Sequence, residues 1–160
     1  MADERSRILI LGTMPGPVAL ERRQYYGYPG NHFWKIIPAV LSEPEPRDYS
    51  ERIDLLRRRR IALWDVLKTC RRAGASDTAI RDAVPNDIGA LLRRCRAIET
   101  LFFNGKSAER LYRRHLGERI HIPCFTLPST SPAHATQSVS QKTEVWRGIL
   151  PYLDHRNPWC

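Results

Sequence analysis

Arg7-Ile8-Leu9-Ile10-Leu11-Gly12 is an unbroken β-branched and leucine run, stopped by Gly12 and then by Pro15. That is the pattern of a buried strand feeding a loop. Three later segments echo it: Ile61-Ala62-Leu63-Trp64-Asp65-Val66, Ile98-Glu99-Thr100-Leu101-Phe102-Phe103 and Cys124-Phe125-Thr126-Leu127. Each is short, apolar and ended by a polar residue, Asn or Pro. Between them lie helical patterns. Asn31 is placed as the N-cap of a helix with apolar residues at 33, 36, 37, 40 and 41. Others fit Tyr49 to Arg59, Asp87 to Arg94, Ser107 to His115 and Thr143 to Leu153. Strands separated by helices predict right-handed βαβ units. The expected fold is α/β, a three-layer α/β/α sandwich around a central, mostly parallel four-stranded sheet. The sequence shows no repeat, low-complexity tract or long linker, so residues 1–160 are read as one domain.

The chain holds 26 Lys and Arg against 17 Asp and Glu, a formal net charge of +9, which suggests an anionic partner. Its first seven residues, Met1 to Arg7, are too polar for a signal peptide, and no apolar run approaches the ~18 residues of a membrane span. A soluble, cytoplasmic protein with no membrane partner is expected. Cys70, Cys95, Cys124 and Cys160 are scattered without a C-x-x-C pair, which predicts thiols and no zinc or iron-sulfur site.

In open parallel sheets the working site lies outside the carboxyl ends of the strands. That rule nominates Gly12 to Asn31, Asp65 to Asp77, Asn104 to Lys106 and Pro128 to His134. The loop Gly12-Thr13-Met14-Pro15-Gly16-Pro17 is stiff and lets a ligand approach its backbone, yet it has neither the Lys-Ser/Thr of a Walker loop nor G-x-G-x-x-G. Nucleoside triphosphate chemistry is thereby disfavoured. Next comes Tyr25-Tyr26-Gly27-Tyr28-Pro29-Gly30-Asn31-His32-Phe33-Trp34, five aromatic residues among turn formers. Phe33 and Trp34 suit a core-facing helix, but three tyrosines in a Gly/Pro-rich segment are costly to expose unless something stacks on them. In Leu127-Pro128-Ser129-Thr130-Ser131-Pro132-Ala133-His134 the hydroxyls and backbone N–H groups are phosphate donors, or the segment is a plain surface turn with a solvated histidine. No nucleophile elbow, H-x-x-x-H or acidic pair marks other chemistry.

Taken in order, the Gly12–Gly16 motif, the Tyr25–Trp34 segment and the Leu127–His134 loop resemble the uracil-DNA glycosylase superfamily. The methionine of the first motif is similar to its hypoxanthine-DNA (deoxyinosine) glycosylase branch. Leu63-Trp64-Asp65-Val66-Leu67, Gly74-Ala75-Ser76-Asp77 with Ile80, and Phe103-Asn104-Gly105-Lys106-Ser107-Ala108 also fit that branch. The resemblance implies a monofunctional, monomeric enzyme of base excision repair that needs no cofactor or metal. It would flip a deaminated base (hypoxanthine, with uracil and xanthine as further candidates) out of double- or single-stranded DNA and hydrolyse its N-glycosidic bond.

On this resemblance Gly12, Thr13, Met14 and Pro15 form the base pocket with Tyr25 or Tyr26 as the stacking wall. Asp65 and Trp64 line it, although a tryptophan after a strand is more often core. Asn104 would read the base edge, because an amide both donates and accepts. Mismatch-specific uracil glycosylases carry Asn in G-x-N-P-G, where this chain has Met14, which cannot orient water. In the hypoxanthine branch that role maps onto Asn31, in competition with helix capping. Relatives push a leucine wedge into the gap left by the flipped base, and here Ala133 and His134 occupy its place. His134 is assigned to plug the stack or face the leaving base, and Ser129, Ser131 and Lys106 to DNA contacts. Among the cations, Arg22, Arg23, Lys35, Lys106 and Arg71 are better placed for DNA than Arg57 to Arg60, which precedes the second strand. Two other readings start from the same residues: a binding module without chemistry, and a small-molecule α/β enzyme.

Overall fold

A computed structural model describes residues 1–74, 76–117 and 121–153. In chain order the elements are β1 (Ile8–Gly12), α1 (Pro17–Arg22), α2 (Phe33–Leu41), α3 (Tyr49–Arg58), β2 (Ile61–Asp65), β3 (Leu67–Arg71), β4 (Arg81–Pro85), α4 (Ile88–Arg94), β5 (Thr100–Asn104), α5 (Lys106–Leu116), β6 (Cys124–Leu127) and α6 (Val139–Trp146). A 3-10 segment, Arg147–Tyr152, follows α6. The four apolar runs form one parallel sheet in the order β2-β1-β5-β6. Ile8 pairs with Ile61 on one side and Thr100 on the other, and Gly12 faces Asp65 in register.

Every residue of β1 is buried, as a central strand covered on both faces requires. Its alternating side chains feed two cores. Ile8 and Ile10 join Phe33, Ile36, Ile37, Leu55, Leu56 and Trp146 from α2, α3 and α6. On the opposite face Leu9 and Leu11 join Ile88, Leu91, Ala108 and Leu111 from α4 and α5. The molecule is therefore the expected three-layer α/β/α sandwich.

Because the chain leaves β1 for β2 on one side and then returns to β5 on the other, the loops after β1 and β5 diverge, which opens a crevice at the carboxyl end of the sheet.

Three features depart from the sequence reading. The segment after β2 is an antiparallel hairpin, β3-β4, with irregular register rather than a loop. A short helix, α1, starts on Pro17, a residue suited to a first helical turn. The helix expected from Thr143 begins at Val139, where Ser138 and Gln141 form a reciprocal capping box. Cys70, Cys95 and Cys124 are unbonded, and Cys160 lies outside the described residues. Among the described residues no helix is long and apolar enough to cross a membrane.

Candidate active site

The crevice is built on a glycine. A Cβ at Gly12 would run into the Asp65 carboxylate and lie 3.2 Å from the Tyr26 hydroxyl, so only glycine lets these two groups close over the end of β1. Asp65 makes no side-chain hydrogen bond or ion pair among the described residues, while its carbonyl accepts from Asn86 Nδ2 at 2.8 Å. Burial raises its carboxyl to about 7, with Asp77 adding to the rise and the Met1 amino group and Arg72 opposing it.

The neighbouring loop is stitched to the hairpin. Thr13 Oγ1 donates to Asp77 at 2.9 Å, Arg72 lies 3.5 Å from the same carboxylate, and Arg72 Nη2 donates to the Pro15 carbonyl at 2.7 Å. Burial also raises the Asp77 pKa, countered by Thr13 and Arg72. Met14 is half-buried against the second core.

Tyr26, in a left-handed conformation with φ 54°, stacks on Phe33 with centroids 4.0 Å apart. Burial drives its hydroxyl pKa well up, helped by Asp65 and countered by a hydrogen bond from the Asn104 amide. Tyr25 turns elsewhere: its N–H donates to the Tyr49 hydroxyl, its carbonyl accepts from Trp34, and its hydroxyl accepts from the Met1 amino group. Of the two tyrosines offered as a stacking wall, Tyr26 is the one in the crevice. Asn31 Oδ1 accepts from the Phe33 N–H at 3.0 Å, a bond to the first residue of α2, although His32 holds the N-cap position. The Asn31 amide nitrogen has no partner among the described residues.

Asn104, at the end of β5, is clamped by Thr130: its Nδ2 donates to Thr130 Oγ1 and its Oδ1 accepts from the Thr130 N–H, both at 2.9 Å. With one N–H on Thr130 and the other on the Tyr26 hydroxyl, the amide keeps one lone pair of Oδ1, and the residue ties the fourth loop to the sheet. Gly105, with φ 95°, is required next to it, since a Cβ there would meet Ser129 Cβ at 2.8 Å. The His32 N–H donates to the Thr130 carbonyl, which joins the start of α2 to the same loop. Ser129 and Ser131 are half-buried and accept from the Ser131 and Ala133 N–H groups, so each hydroxyl still has its own hydrogen to donate. His134 is exposed beside Thr136, and Lys106 is exposed at the start of α5.

The structure thus gathers Gly12, Thr13, Tyr26, Asp65 and Asn104 at the crevice, with Asn31 joined to them through Phe33 and with Ser129, Ser131, His134 and Lys106 on neighbouring loops. Pro15 contributes its carbonyl to Arg72. Sequence reasoning missed the roles of Arg72, Thr130, Lys142 and Trp146. Asp77 belonged to the Gly74–Asp77 motif, of which Ala75 lies outside the described residues. Among the described residues no three His, Cys, Asp or Glu side chains converge as a metal ion would need.

Comparison with known proteins agrees with this geometry. The family model described as Uracil DNA glycosylase superfamily matches residues 1–152. A hypoxanthine DNA glycosylase of Methanosarcina acetivorans is 34% identical over 152 residues, 92% of each chain. One from Methanosarcina barkeri is 39% identical over 107 residues, 66% of this chain and 68% of the relative. A solution NMR structure of a candidate uracil DNA glycosylase from Methanosarcina acetivorans superposes with a TM-score of 0.81 at 33% identity, covering 96% of this chain and 94% of its own. With the motifs in family order, the sheet in family topology and the match running through both cores, the chain belongs to the uracil DNA glycosylase superfamily.

Proposed function

We propose that this glycosylase acts on deaminated bases in DNA, with hypoxanthine as the principal substrate, and that the crevice is its base pocket. The convergence of Gly12, Tyr26, Asp65 and Asn104 where the sheet's strand order reverses carries the reading. Extruding a base costs a few kcal/mol, which stacking on Tyr26 and hydrogen bonds to Asp65 and to the remaining lone pair of Asn104 Oδ1 repay. Met14 supplies an apolar wall and orients no water. Asn31 takes that task. Its bond to the Phe33 N–H fixes the amide plane while leaving one lone pair of Oδ1 and the amide nitrogen for a water, so capping and water-holding cooperate rather than compete. That water meets the oxocarbenium-like sugar as the C1′–N bond breaks. His134 and Ala133 stand at the exposed loop where the vacated stack needs filling, and Ser129, Ser131 and Lys106 contact phosphates. The substrate is DNA, double- or single-stranded, and the enzyme works as a monomer in the cytoplasm.

A panel of oligonucleotides, each holding one deoxyinosine, deoxyuridine or deoxyxanthosine, tests the reading. Wild type should release hypoxanthine fastest, and Asn31→Ala should bind the same duplex but cleave about 10²–10³-fold more slowly, the usual cost of losing one positioned polar group. Intact substrate with wild type, or equal rates from Asn31→Ala, would overturn it.

A further inference from the structure

Lys142 is fully buried, at 0% exposure, an uncommon place for a lysine without a counter-charge. No carboxylate lies within ion-pair distance of it among the described residues. Its ammonium instead donates to the carbonyl of His134 at 2.7 Å. Four residues on, and so on the same face of α6, the equally buried Trp146 donates from Nε1 to the carbonyl of Pro128 at 2.9 Å. One helix face therefore holds the first and the last peptide of the loop 128–134. Midway, Thr130 is clamped by Asn104 and by the His32 N–H. Pro132, Ala133 and His134 between these fixed points are exposed.

Core packing does not call for a charge at 142. A methionine there would fill similar volume without desolvating an ammonium. What the ammonium supplies and methionine does not is a hold on the His134 carbonyl, and α6 leaves the loop almost at once through the Ser138 cap, so the hold is short and direct. Loop conformations fixed before binding lose little entropy on binding.

We propose that Lys142 is a positioning residue: by fixing the His134 peptide it holds the Ala133–His134 tip ready to fill the gap that a flipped nucleotide leaves in a duplex. This rests on the glycosylase reading above. A strand without a complement has no such stack to fill. Lys142 should therefore matter for double-stranded substrate and be nearly irrelevant for single-stranded substrate, a contrast that a purely structural lysine would not produce.

The test compares single-turnover cleavage of a deoxyinosine strand, alone and annealed, by wild type, Lys142→Met and Lys142→Arg. Lys142→Met should lose about tenfold to a hundredfold on the duplex, keep single-strand cleavage within about twofold of wild type, and lose nothing more when His134→Ala is added. Lys142→Arg should recover part of the duplex rate. Should Lys142→Met fail to fold, Lys142→Gln, which keeps an N–H donor of shorter reach, is scored on the same duplex-to-single-strand ratio. Equal losses on both substrates, no loss on either, or additive losses with His134→Ala overturn the proposal while leaving the glycosylase reading intact. A wild type that cleaves neither strand overturns the glycosylase reading itself.

Discussion

Asp65 shows how a single residue is made unfavourable by its surroundings. Its carboxyl stands over Gly12 and beside the Tyr26 hydroxyl, without a hydrogen-bond donor of its own. The charged and titratable groups acting with it are the Met1 amino group, Asp77 and Arg72, and it adds in turn to the rise that burial causes in the hydroxyl pKa of Tyr25 and Tyr26. A carboxyl raised from 3.8 to about 7 binds its proton more tightly in the folded than in the unfolded chain. Between those two values the folded state holds more protons, so stability falls as pH rises from about 4 to 7 and stays low above. The loss is on the order of 4 kcal/mol at pH 8. Asp65→Asn, which removes the ionisation and keeps the shape, should melt above wild type at pH 8 and level with it near pH 4. Thermal denaturation across that range checks it, and parallel melting curves at both ends would show that Asp65 titrates normally. Stability withheld at one carboxyl in a crevice is characteristic of a functional group.

At the scale of elements, legibility followed burial. The central strands β1 and β5 were readable because a strand covered on both faces must be continuously apolar, as Ile8-Leu9-Ile10-Leu11 is, and the edge strands β2 and β6 were readable as short apolar runs between turn formers. The β3-β4 hairpin escaped because β3 buries only Leu67 and continues into Lys68, Thr69, Cys70 and Arg71, while β4 ends in Pro85. Neither strand alternates in a way that period-two patterning would find. The start of α6 was missed, because the Ser138–Gln141 capping box leads into a weakly amphipathic helix that gives little periodic signal. The Gly12 loop, the glycine-rich turns and the Asn104 position were legible from chemistry and resemblance. Arg72 reaching back to Pro15 and Lys142 reaching His134 were not, because local patterns carry no trace of pairings made by folding. The hairpin's work rests on the first of these pairings. Arg72, with only 7% of its side chain exposed, joins Asp77 to the Pro15 carbonyl, and Asp77 holds Thr13. Arg72→Met should cost about 2–4 kcal/mol, since it leaves a largely buried carboxylate without its cation. Thr13→Ala should cost nearer 1 kcal/mol. As both act through Asp77, the double variant should lose less than the two combined, and urea denaturation of the four proteins measures the difference.

For the whole molecule, the question is which part of a +9 charge does the binding. Arg57 and Arg58 end α3 and Arg59 caps it just before β2 enters the sheet, and hence all three lie at the amino end of the strands, opposite the crevice. Arg57 lies 3.7 Å from Asp54, and Arg59 the same distance from Glu43 while also donating to the Leu41 carbonyl. Cations in a last helical turn are also favoured by the helix dipole, which explains the cluster without any ligand. Lys35 and Lys106 are exposed in the first turns of α2 and α5, the helix ends that meet the loop 128–134. A cation at that end of a helix gains nothing from the dipole, so a phosphate is the better reason for it. Two double variants separate the alternatives, because Lys35→Ala with Lys106→Ala and Arg57→Ala with Arg58→Ala remove the same amount of charge. If net charge governs binding, both should weaken an inosine duplex equally. If the crevice end is the interface, only the lysine pair should weaken it, and the slope of log affinity against log salt should become shallower by about 0.9 for each phosphate no longer neutralised. Anisotropy titrations over a salt series read both quantities, and equal slopes for the two variants would return the charge to a diffuse, non-specific role.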